Sequence, residues 1–96
     1  MIANTAITEQ DRVGLARGVR LVDDKKRGVK VLLAPERTMA LDPVALSIVE
    51  AFDGKSTVGE LISSLARTYD ATREEIAGDV LSFVDELRKR RMIEIT

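Results

Sequence analysis

Asp42-Pro43 splits this chain into two stretches that follow different hydrophobic periods. An aspartate accepts from the free N–H groups of a helix's first turn, and proline at the first helical position surrenders a donor that has no partner there. Two more helix starts follow, Thr57-Val58-Gly59-Glu60 and Thr72-Arg73-Glu74-Glu75, each spaced as a capping box in which threonine and glutamate satisfy stranded backbone donors. Before Asp42 the pattern is that of strands. Residues Arg17 to Val22 alternate, Asp23 to Gly28 form a polar run ending in glycine, and Val29 to Ala34 are β-branched and apolar until Pro35-Glu36-Arg37 turns the chain. Thr38 to Leu41 then makes a third strand, antiparallel to the second because so short a link permits little else. The expectation is an α+β fold, a three-stranded antiparallel β-meander followed by three α-helices. The last helix should end near Arg91, with Met92 to Ile95 as a strand-like tail.

Ninety-six residues make one domain. Residues 1 to 16 show no sustained period and are expected to be a flexible N-terminal arm, leaving 17 to 96 as the folded unit. The chain has no His and no Cys, which removes imidazole bases, thiolate nucleophiles and the usual zinc ligands. Its adjacent carboxylates, Asp23-Asp24 and Glu74-Glu75, lie in a polar turn and in a helix's first turn, and do not converge on a cation or a substrate. No catalytic residue, metal ligand or cofactor site is expected, and hence no enzyme. A net charge of −1 argues against nucleic-acid binding, whose affinity comes from many cationic contacts to phosphate. No apolar run approaches the length of a membrane span, and the start lacks a basic segment followed by an apolar one. A cytoplasmic protein is expected.

At about 100° per residue, Ile76, Val80, Phe83 and Leu87 form one stripe of the third helix, its predicted core face. Ala77, Leu81 and Val84, with Arg88 beside them, widen the apolar arc to about 160°, more than one packing face usually needs. That flank either packs on the sheet or another helix, or lines one wall of a groove. The sheet would supply the other wall. Both outer strands of a meander are edges, and Thr38-Met39-Ala40-Leu41 is uncharged and free of proline, a better template for a guest strand than the charged first edge. An extended peptide laid there would gain main-chain hydrogen bonds from the strand and burial from the helix. The same edge permits self-pairing into a homodimer. The alternatives are a winged helix-turn-helix that binds nucleic acid through its third helix and a purely structural subunit. Glu75, Asp79, Asp85 and Glu86 on that helix oppose the former.

Arg17-Gly18-Val19-Arg20-Leu21, the run Val31-Leu32-Leu33-Ala34-Pro35-Glu36-Arg37, the strand into Leu41-Asp42 and the Asp53-Gly54 turn form one set of matching segments. The Leu61-Ile62 to Tyr69 helix and Arg73-Glu74-Glu75-Ile76 leading to Asp79-Val80 complete it. Together they resemble the PqqD family of pyrroloquinoline quinone (PQQ) biosynthesis, over residues 17 to 93. The resemblance implies a winged helix-turn-helix-like fold of the class called recognition elements for ribosomally made, modified peptides (RiPPs). It implies a peptide chaperone, which binds the leader region of the PQQ precursor peptide by β-strand addition and presents it to a radical S-adenosylmethionine enzyme. In that family the peptide lies beside the third strand and against the third helix. Peptide binding is thereby expected at Thr38, Met39, Ala40 and Leu41, and at Ala77, Leu81, Val84 and Arg88.

Overall fold

The computed structural model describes residues 7–95. In chain order these form β1 (Val13–Leu15), β2 (Arg20–Asp24), β3 (Val29–Ala34), β4 (Arg37–Ala40), α1 (Pro43–Glu50), α2 (Val58–Tyr69), α3 (Arg73–Lys89) and β5 (Ile93–Ile95). β2, β3 and β4 make the expected antiparallel meander, in which Leu21, Leu32 and Met39 stand side by side. β2 absorbs Asp23 and Asp24 because Lys25 to Gly28 suffice for the reversal. The Asp24 side chain accepts from the backbone N–H groups of Lys26 and Arg27 at 3.2 and 3.3 Å. Gly28 closes the turn at φ 70°, in the left-handed region that side chains avoid.

The helices begin where their caps dictate. Asp42 accepts from the Ala45 N–H at 2.7 Å, and Thr57 with Glu60 completes both halves of the capping box. At the third start Thr72 accepts from the Glu75 N–H at 3.2 Å, while its hydroxyl donates to the Glu75 carboxylate. The three helices bury Ile48 and Val49, then Val58, Leu61, Ile62 and Leu65, then Ile76, Val80, Val84 and Leu87 against Leu32 of the sheet.

Residues 1–6 of the expected arm lie outside the described residues, and residues 7–16 depart from that expectation. β1 pairs antiparallel with β5, Val13 opposite Ile95 and Leu15 opposite Ile93. Ile7 and Val13 are buried in the core. The segment is held along its length: Val58 N–H donates to Asp11 O and Gly59 N–H to Glu9 O, both at 2.8 Å. A Cβ at position 59 would meet Glu9 atoms at 3.1 to 3.3 Å, so a larger residue there would press the segment outward by a few tenths of an ångström. A three-residue strand is too short to display a period of two, and its partner lies at the other end of the chain.

Arg73 fastens this segment to the helices. Its guanidinium grips both oxygens of Glu9, at 2.6 and 3.2 Å, and reaches Ser63 and the Gly59 carbonyl of α2. The Arg73 hydrogen bonds hold the Glu9 carboxyl below the ordinary glutamate range. A carboxyl whose pKa is lowered on folding adds stability above its unfolded pKa and loses it as pH falls through the folded value. Glu9→Gln should therefore be less stable than the parent at neutral pH, with the gap closing at pH values below the ordinary glutamate range. Urea titrations across that range measure the gap; a gap independent of pH would exclude the linkage.

Candidate functional site

β4 is an outer strand of the meander. Just past its end, Leu41 N–H donates to Lys30 O at 3.1 Å. In an antiparallel ladder hydrogen-bonded and non-bonded pairs alternate. With Leu32 opposite Met39 and Leu33 opposite Thr38, it follows that Arg37, Met39 and Leu41 turn their backbone groups toward β3. Thr38 and Ala40 turn theirs outward. The open edge thus offers two N–H and two C=O groups in the spacing an extended chain requires.

The side chains alternate across the sheet. Thr38 and Ala40 are exposed, Met39 is half-buried on the inner face, and Leu41, next inward in the alternation, is buried. Leu41 is accordingly a core residue and not part of the accessible edge, contrary to expectation.

α3 is tied to the two ends of this edge. Arg37 at the start of β4 donates to the Arg90 carbonyl at the end of α3, at 3.4 Å. Asp42, just beyond β4, shares a cleft with Val44 and Ala45 of α1 and with Asp79, Ser82, Phe83 and Glu86 of α3. The stretch from Arg37 to Asp42 spans roughly 16 Å as extended chain, and Arg90 back to Asp79 about the same as helix.

The side of α3 that meets Asp42 is therefore the Phe83 side, and the predicted flank of Ala77, Leu81, Val84 and Arg88 does not line that cleft. Leu81 lies about 160° around the helix from Phe83, too far to share a cleft with it. Val84 is fully buried. Ala77 and Leu81 are half-buried against the core, on the flank where Arg73 reaches α2, about 40° from Ala77. Arg88 is occupied within its own helix, donating to Asp85 at 2.7 and 2.9 Å, a contact that with Lys89 lowers the Asp85 pKa. The buried arc is centred near Val80 and includes Val84, which rotates Phe83 out of the predicted core to the cleft's edge, where it is half-buried. Val44 of α1 is 45% exposed at the same cleft. The pointer to both was Asp42: it ends the edge strand and caps α1, so α1's first turn must flank the edge.

The comparisons with known proteins agree with this architecture. The family model for Coenzyme PQQ synthesis protein D (PqqD) matches residues 30–93. A PqqA binding protein of Rhizobium meliloti (strain 1021) is 54% identical over 83 residues, 86% of this chain and 85% of that protein. The bifunctional coenzyme PQQ synthesis protein C/D of Methylorubrum extorquens is 41% identical over 90 residues, 94% of this chain but 24% of that longer protein. Among solved structures, the PqqD truncation of Methylobacterium extorquens PqqCD, a functional and stand-alone RiPP recognition element, matches with a TM-score of 0.81 at 41% identity, covering 94% of this chain and 96% of that one. With a meander, an edge tied to α3 and relatives of this likeness along nearly its whole described length, the chain belongs to the PqqD family.

Proposed function

We propose that this chain is a peptide chaperone of PQQ biosynthesis, binding the leader region of the PqqA precursor peptide as an added strand on β4. The observation that carries the reading is the open edge of Thr38 and Ala40 on a strand that leads directly into Asp42, a lining residue of the cleft of Val44 and Phe83. Main-chain bonding to the edge gives affinity for any extended chain, and apolar contacts in the cleft select among side chains. The names of the relatives supply the identity of the guest. The chaperone performs no turnover; it hands the bound peptide to a radical S-adenosylmethionine enzyme in the cytoplasm. A relative fused to PqqC supports working contact with pathway enzymes. A homodimer through β4 would use the same backbone groups, so self-pairing and peptide binding exclude one another.

The test is a titration of isotope-labelled protein with PqqA peptide. The amides of Thr38, Ala40 and Phe83 should shift most. Shifts concentrated on β2, the other outer strand, would move the site; no shift at all would remove the function.

A further inference from the structure

The groove beside β4 is acidic at one end and basic at the other. Asp42, Asp79 and Glu86 line the cleft next to α1. Where β4 begins, Arg17, Arg37, Arg90 and Arg91 surround a second concavity that contains a single acidic residue, Glu36. Arg90 pairs with Glu86 at 2.7 Å. Among the described residues Arg17, Arg37 and Arg91 have no carboxylate partner.

The backbone at Arg91 is a second, independent observation. α3 ends in a Schellman turn: Arg91 N–H donates to Arg88 O at 3.0 Å and Met92 N–H to Leu87 O at 2.9 Å. Met92 and Leu87 are both fully buried. The turn puts Arg91 at φ 59°, the left-handed position that favours glycine and penalises any residue with a Cβ. Stability alone would select glycine there. The chain instead keeps an exposed guanidinium with nothing of its own to hold, at the end of the groove.

We infer that the Arg17, Arg37, Arg90 and Arg91 cluster seats acidic side chains of the guest peptide, just past the part that pairs with β4. The inference rests on the peptide-binding reading above. A guanidinium presents forked donors that match a carboxylate. At the opposite end Asp42 and Asp79 repel the same carboxylates. Strand pairing alone is nearly indifferent to how the guest lies, and this charge polarity fixes which of its ends meets which end of the groove.

The test titrates the full chain calorimetrically, at low and moderate salt, with PqqA peptide and with a version in which every Asp and Glu is changed to Asn or Gln. Arg91→Gly should raise the melting temperature by about 2 to 4 °C yet weaken native peptide about threefold to tenfold at low salt, the loss shrinking as salt rises. Arg17→Gln, which leaves the helix end untouched, should weaken the native peptide likewise. The neutralised peptide should bind parent and variants alike. If both variants bind native peptide as tightly as the parent does, the inference is overturned while the peptide-binding reading stands. If the parent binds no peptide, both fall. Variants that keep peptide affinity but lose capture of the radical enzyme would make the cluster that enzyme's docking face, which also overturns the inference.

Discussion

Leu87→Ala should cost roughly 3 to 4 kcal/mol of folding free energy, and Phe83→Ala no more than about half of that, although the second removes the larger side chain. Leu87 is fully buried, whereas Phe83 stands half-buried at the lip of the cleft. From a total of about 5 to 15 kcal/mol, the first loss brings a domain of this size near the edge of folding. Peptide binding should rank the two in the opposite order. Phe83→Ala should stay folded and bind PqqA roughly tenfold more weakly, while the folded fraction of Leu87→Ala should keep the parent affinity. Denaturant titration and calorimetry on the same preparations measure both quantities. Equal destabilisation by the two substitutions would return Phe83 to the core and leave the cleft without its apolar wall.

Ala40→Pro should lower peptide affinity by tenfold or more, about 1.4 kcal/mol for each factor of ten, while the protein remains folded. Proline deletes one N–H, and at position 40 that N–H points off the sheet, so the ladder to β3 keeps all its bonds. The preceding residue, Met39, is already extended, as a residue before proline must be. Met39→Pro is the matched control: one position earlier, it deletes a bond to β3 and should destabilise the fold. Unaltered PqqA affinity in folded Ala40→Pro would show that the guest strand pairs elsewhere.

The meander and the three helices were legible because short-range chemistry specifies them. Asp42-Pro43 and the Thr57–Glu60 pair determine helix starts whatever lies around them. The edge at Thr38 and Ala40 was legible for a similar reason, since strand order in a meander leaves its outer strands unpaired. The helix wall was not. A helical wheel shows that α3 has an apolar arc wider than its core face, but which margin of the arc meets the cleft at Asp42 depends on how the helix is rotated against the sheet. The deep burial of Val84 sets that rotation and turns Phe83, rather than Leu81, toward the cleft. Residues 7–16 were misread for the opposite reason: β1 is too brief to carry a period and takes its meaning from Ile93 and Ile95, more than seventy residues away.

That terminal ribbon has a consequence for the order in which the molecule assembles. Each hairpin and helix closes over a short stretch of chain, but Val13 opposite Ile95 closes a loop of nearly the whole sequence. The entropic cost of such a closure is about 4 kcal/mol beyond a constant term, so contacts of this separation form late, after the meander and helices have drawn the ends together. Once made, the ribbon does not fray like an ordinary terminus, because Val13, Met92 and Ile93 belong to the same buried cluster as Leu32 and Leu87. Opening it exposes core, and the two ends of the described chain therefore rise and fall with global unfolding rather than ahead of it.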